Sequence, residues 1–340
     1  MADAGAGDSP VVSVIVPAHN AAPYLGDALE SLRTQTLTDI EVLVVDDGST
    51  DGTASVAQSY AARDPRFRVF RNEPASGRPG SARNIGLRAA RGSYVALLDA
   101  DDVAVPTRLE MSVDALRHTG ASIAFGDFCK FNDSDGAAYA QAHLEGGNFV
   151  ARAEQHLEPA GDSLFRCSPR FAVYLLTDIP AINTQTFMAL REDLAAAGFF
   201  DETLVGSEDL DLFLRLVERA PVVYIDAVLT LMRVHPASLT ATQTDRCALD
   251  AIQVRRAHVA VMRPRMTTSE QHAATRAIAG MLADLGYGRW IRGERASARA
   301  ALMESLRLHR DGRIMVMYLK AWIPFSLLLR IRTLLMGNPA

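Results

Sequence analysis

A chain of 340 residues, 49% of them apolar, is long enough to bury a large core, and its net charge of −5 with a pI near 5.9 supplies no overall basic field, so no nucleic-acid partner is expected. Cys129, Cys167 and Cys247 are odd in number, widely spaced and free of CxxC pairing, which argues against a disulfide framework or a structural zinc site. The opening stretch MADAGAGDSP lacks the charged and apolar regions of a secretory signal, so a cytoplasmic location is expected.

From Val11 to Phe131 short β-branched runs alternate with helical stretches, the pattern of βαβ units around a mainly parallel sheet. Strands are expected at 11–17, 40–46, 67–71, 94–99 and 122–128, with helices from Pro23 to Thr34 and at 52–63, 80–90 and 107–119. Residues 132–170 show little periodicity and are expected to be irregular, a place for variable acceptor recognition. A helix is expected from near Ser207, strands at 222–225 and 228–234, and helix throughout from about Thr244. The chain thus divides into a flexible start (1–10), an α/β region (11–240) and a helical C-terminal region (241–340).

Five clusters carry chemistry. Asp46 and Asp47 in DDGSTDGT end a strand, where open α/β sheets bind ligands; the same residues also suit a simple turn that caps the next helix. In SGRPGSARNIGLRAARG a glycine-containing loop runs into a helix bearing Arg83, which suits a diphosphate at a helix N-terminus, although an ordinary helix with solvated arginines fits Arg88 and Arg91. LLDADD ends a strand in Asp99, Asp101 and Asp102; crowded carboxylates call for a hard divalent cation, Mn²⁺ or Mg²⁺, while Asp102 in particular also suits a solvated, capping turn. Glu208 and Asp209 open an amphipathic helix, either as a general base or because the helix dipole favours acids there. Arg233 and His235 follow a strand on one side, and His235 is a candidate further metal ligand.

In this order and spacing, VSVIVPAHN, IEVLVVDDGSTDGT, GSARNIGLRAARGSYVALLDADD, GFFDE, GSEDLDLFLRL and MRVHPASLT resemble glycosyltransferase family 2 from about Val11 to Thr240. The resemblance implies a GT-A fold, Rossmann-like, with 11–131 as the donor half and 132–240 as the acceptor and catalytic-base half. It also implies a nucleotide-diphosphate sugar donor, a divalent cation and inversion at the anomeric carbon. Carried over residue by residue, Pro17, Asp46, Asp47, Arg83, Asp99 and Ala100 would contact the donor, with Asp47 reading the N3–H of uracil or thymine. Asp101, with Asp99 and His235, would hold the metal, and Asp209 would be the base with Glu208 beside it. A UDP or dTDP donor is favoured over GDP, and the acceptor is expected to be a glycan, lipid-linked or other envelope-type hydroxyl. Val103, Ala104 and Val105 depart from the bulkier apolar residues common after the tandem acids, and no QxxRW-like segment of processive synthases is present. The chief alternatives are a sugar-phosphate nucleotidyltransferase, whose Gly-rich loop with Arg and Lys is missing here, and a binding module without turnover.

The apolar stretch at 314–337 is interrupted by Lys320 and Pro324 and is too short before Arg330 to cross a bilayer, which needs about 20 apolar residues. It is expected to lie in a membrane interface at the inner face of the cell membrane, or to pack on the catalytic domain or a homodimer partner.

Overall fold

The computed structural model describes residues 9–132, 138–142, 149–177, 182–236, 238 and 242–325. The expected start at 1–10 and the end of the 314–337 stretch lie largely outside the described residues. The chain divides into two units, Met1–Tyr174 with Pro180–Thr242, and Leu175–Ile179 with Gln243–Ala340.

In the first unit β1 (Val12–Ala18), β2 (Ile40–Asp46), β3 (Phe67–Arg71) and β4 (Tyr94–Leu97) are parallel. The runs VSVIVPA and IEVLVVD are almost wholly buried, as strands covered on both faces must be. Helices α1 (Ala22–Arg33), α2 (Thr53–Ala61), α3 (Pro79–Ala89) and α4 (Arg108–Thr119) fall where the periodicity puts them. α1 begins with Pro23 in its first turn and buries Leu25, Ala28, Leu29 and Leu32, the face its spacing marks out. Each such leucine contributes roughly 2 kcal/mol by leaving water.

The sheet continues through β5 (Val103–Ala104), β6 (Ile123–Asn132), β7 (Ala138–Ala142), β8 (Leu157–Gly161), β9 (Leu164–Cys167), β10 (Met188–Leu190) and β11 (Val222–Val234). Among the described residues its order is β3-β2-β1-β4-β10-β6-β11-β9-β8, with β5 on β11 and β7 on β6. β10 runs antiparallel between β4 and β6. Helices α5 (Phe149–Arg152), α6 (Phe171–Thr177, whose residues from Leu175 on count with the second unit), α7 (Arg191–Ala197) and α8 (Glu208–Val217) complete this part.

Besides β5, β10, α6 and α7, for which the sequence raises no expectation, the structure differs from the sequence expectation in two places. The segment expected to be irregular at 132–170 contains the β8–β9 hairpin, which extends the sheet beyond β11. Its strands are four and five residues long and half exposed, so no apolar run announces them. The two strands expected at 222–225 and 228–234 are one strand, irregular between Ile225 and Thr230, where the pairing to β6 shifts register.

The second unit is helical: α9 (Thr244–Met262), α10 (Thr268–Ile291), α11 (Arg295–Leu308) and α12 (Gly312–Lys320). α10 starts with a reciprocal capping box between Thr267 and Glu270, a device that contributes about 1 kcal/mol. Among the described residues no helix is long and apolar enough to cross a membrane. None of the three cysteines forms a disulfide.

Candidate active site

The parallel strands β1 and β2 end level, Pro17 with Val45 and Ala18 with Asp46, and β4 ends three residues earlier, its Leu97 level with Ile15. The segments just beyond these ends therefore share one edge, where open α/β sheets gather ligands. Pro17 is half-buried at this edge, and Ala100 is buried just past β4.

The tandem acids after β2 diverge. Asp46 is fully buried, and its Oδ1 accepts from Ser49 N at 3.0 Å. Its Oδ2 has no hydrogen-bond partner among the described residues and lies 4.0 Å from Arg71 Nε. Asp46 borders a cavity of about 280 Å³ together with Ser55, Gln58 and Phe70. Asp47 turns to the following loop and accepts from Asn72 Nδ2 at 2.6 Å, Ser76 N at 2.9 Å, Ser76 Oγ at 2.8 Å and Gly77 N at 3.1 Å. Burial raises its pKa, but these hydrogen bonds outweigh burial and hold the carboxyl below its ordinary value. They also take up the roughly four acceptor positions of a carboxylate, so a nucleobase N3–H would have to replace one of them. Gly48, at φ +65°, makes the turn possible: a Cβ there would stand 2.8 Å from the Ala75 backbone nitrogen.

Arg83, on α3, is buried and donates to Asp99 Oδ1 at 2.7 Å and to Glu208 Oε1. Phe200 covers the guanidinium, with its ring centroid 5.5 Å away. Burial alone would lower the pKa of Arg83, but Asp99 and Glu208 raise it above the ordinary value. Expected to contact the donor, Arg83 is also the joint between two acids of the site. The other oxygen of Asp99 accepts from Thr184 Oγ1 at 3.2 Å. Asn84, next on α3, donates to the Phe200 carbonyl at 3.0 Å and to Glu202 Oε1 at 2.8 Å, and so fastens the GFFDE segment to the helix. Sequence reasoning missed Thr184, Asn84 and Glu202 as parts of this framework; the GFFDE motif was the available signal for Glu202.

Ser207, in the left-handed region at φ +61°, turns the chain into α8. Burial pushes Glu208 up to about 7 against the pull of Arg83, with Asp209 adding repulsion. Asp209 is half-buried, and burial raises its pKa against Arg83. An acid raised in this way is a stronger base once ionised.

His235 Nε2 stands 2.9 Å from Asp101 Oδ2, while its Nδ1 is buried without a hydrogen-bond partner among the described residues. Burial, then Asp99, raises the Asp101 carboxyl above its ordinary value. Arg233 braces this corner: its backbone N–H donates to Asp102 Oδ1 and its Nε to the Asp101 carbonyl, both at 3.0 Å. The alternative of a solvated, capping Asp102 is therefore corrected. This carboxyl is buried, burial pushes it well above the ordinary range, and Thr107 takes the N-cap position of α4. Beneath it, the buried Arg108 donates to the Leu97 carbonyl and is lowered to about 10 by burial. Among the described residues, no group of three or more His, Cys, Asp or Glu side chains is arranged to hold a metal ion.

The sequence profile described as Glycosyl transferase family 2 matches residues 13–176. The chain is similar to the uncharacterized glycosyltransferase RT0329 of Rickettsia typhi, 30% identical over 69% of this chain and 67% of that protein. It is also similar to the uncharacterized glycosyltransferase EpsJ of Bacillus subtilis, 32% identical over 68% of this chain, and spans 63% of the length of that relative. Among solved structures, residues 1–349 of S. aureus TarS in complex with UDP-GlcNAc superpose with a TM-score of 0.62 at 18% identity, covering 89% of this chain and 82% of that one. The mannosyltransferase PcManGT from Pyrobaculum calidifontis, in complex with GDP-Man and Mn²⁺, gives 0.55 at 20% identity, covering 98% and 82%. The sheet with its flanking helices matches the GT-A fold of these neighbours, and the chain belongs to glycosyltransferase family 2.

Proposed function

We propose that this chain transfers a sugar from a nucleoside-diphosphate sugar to an acceptor hydroxyl, with inversion at the anomeric carbon. The observation that carries this reading is the double engagement of Arg83. One buried guanidinium holds Asp99, just past β4, and Glu208, at the start of α8, so the donor side and the base side are built as a single unit. Support also comes from the two neighbours, one in complex with UDP-GlcNAc and one with GDP-Man.

The donor nucleotide lies over Pro17 and the loop after Asp46 and Asp47, with its ribose beside Asp99 and Ala100. A uridine or thymidine donor is favoured, because both bases present an N3–H to Asp47 in place of the Ser76 hydroxyl. The donor set fits a divalent cation at Asp101 and His235. Asp101 and His235 would hold it, one through a carboxylate oxygen and the other through an imidazole nitrogen, two side chains that already meet at 2.9 Å. Asp99 is the weaker ligand, since both its oxygens already accept hydrogen bonds. When bound, Mn²⁺ or Mg²⁺ would supply positive charge to the departing diphosphate.

Asp209 removes the proton from the acceptor hydroxyl, whose oxygen forms the new bond to the anomeric carbon as the bond to the diphosphate breaks. Glu208 positions the helix start through Arg83. The acceptor is a glycan, lipid-linked or other envelope-type hydroxyl.

Incubation with Mn²⁺ or Mg²⁺, hydroxyl acceptors and a panel of UDP-, dTDP- and GDP-sugars tests the proposal. It expects nucleoside diphosphate release that excess chelator abolishes and added metal restores. Pyrophosphate release would identify a nucleotidyltransferase instead, and donor binding without turnover a binding module.

A further inference from the structure

Helix α12 is apolar on both its sides. Ile314 and Ala321, with Met317 and Tyr318, pack inward against Trp290, Leu302 and Leu306 of the second unit. The opposite arc carries Met315, Val316 and Leu319, and the turn after the helix adds Trp322 and Ile323, each between 38% and 59% exposed. At 100° per residue Met315, Val316 and Leu319 fall within about a third of a turn and so form one face of the helix. An arc of large apolar side chains left in water is costly unless something covers it, since each contributes about 1.5–3 kcal/mol on full burial.

The charges around the arc are mostly basic, the acids being Asp311, which caps α12, and Glu294, which pairs with Arg292. Arg313 and Lys320 flank one side of it. On the other, the Arg299 guanidinium lies 4.1 Å from the Trp322 ring centroid and Arg295 donates to the Trp322 carbonyl at 3.2 Å. From Gly312 to Ala340 the sequence holds Arg313, Lys320, Arg330 and Arg332 and no Asp or Glu. A second copy of this face would bring the same mostly basic rim, whose two acids are already engaged, Asp311 in the helix cap and Glu294 with Arg292. An anionic surface answers it directly, and an apolar face with a basic rim and a tryptophan has the composition of a helix lying in a lipid headgroup layer.

We propose that the exposed face of α12 docks the protein on an anionic lipid bilayer, lying in the interface without crossing it. The chain holds two tryptophans, and Trp290 is buried while Trp322 is 57% exposed, so a change in intrinsic fluorescence on docking reports on Trp322. The full chain is titrated in low salt with vesicles of phosphatidylcholine containing about a third phosphatidylglycerol, and with phosphatidylcholine alone. The expected result is a blue shift and co-sedimentation with the anionic vesicles. Both should weaken by at least tenfold in Leu319→Glu and several-fold in R313E/K320E, and Trp322→Phe should lose the shift. Absence of binding, equal binding to neutral vesicles, or a shift that survives Trp322→Phe would overturn the proposal. So would a concentration-dependent dimer, abolished by Leu319→Glu, that protects Trp322 without lipid.

Discussion

The two units manage charge and apolar surface differently. Among the described residues the first buries Arg83, Arg108 and Arg233 and the second only Arg255, while the large exposed apolar side chains lie, Val234 excepted, in the second. A buried guanidinium survives only with partners, and in the first unit those include Asp99 and Glu208 for Arg83, and Asp27 with the Asp101 carbonyl for Arg233; of these, Asp99, Glu208 and Asp101 belong to the proposed chemistry. An exposed apolar face carries no such network and constrains no catalytic geometry. Substitutions in the first unit should therefore be costly and specific, and those on the outer face of α12 cheap for folding and visible only in docking.

The largest expected effect is at Asp209. Positioned proton removal contributes about 10²–10⁴-fold, so Asp209→Asn should lose turnover of that order while donor affinity, read by calorimetry, stays within twofold. A loss confined to donor affinity would move the base elsewhere, with Glu208 the next residue to test. Arg83→Met comes next: it strands Glu208 as a buried, unpaired acid, a change that costs about 3–5 kcal/mol in chemical denaturation. A near-neutral result would mean that Arg83 is not the joint between the two sides of the site.

A smaller effect is expected in the pH dependence of stability. Burial raises Glu208 from an ordinary 4.5 to about 7, so the folded protein binds this proton more tightly than the unfolded chain does. The resulting stability is fully present below about pH 4.5 and is lost as pH rises through about 7. Glu208→Gln should flatten that decline in melting temperature across the same window, and an unchanged profile would remove Glu208 from the account. The smallest effect is expected on the helical unit, where Leu319→Glu should shift stability by no more than about 0.5 kcal/mol and leave turnover on a water-soluble acceptor unchanged.

Much of the fold was legible because fully buried parallel strands and amphipathic helices leave period and composition in the chain: β1, β2 and α1 lie within a residue or so of their expected positions. β10, three residues long, and the half-exposed β8–β9 hairpin leave no such trace. Within the site, the motifs identified the acids and their place beyond the strand ends, because DDGST and DADD directly follow apolar runs. Their partners were hidden, since Asn72, Asn84 and Thr184 are ordinary polar residues in sequence and acquire meaning only where their side chains end up.

The sequence by itself determined the alternation of strands and helices, the family, and which carboxylates stand beyond β2, β4 and the turn into α8. The tertiary structure decided that Asp46 and Asp47 face different surroundings, that Asp102 is buried, and that Arg83 joins Asp99 to Glu208. It also decided that His235 meets Asp101 from 134 residues away. Periodicity records which face of an element avoids water, a local property of the chain. The direction of a polar side chain and the charge it meets depend on elements brought together by the sheet, and no local pattern encodes that pairing.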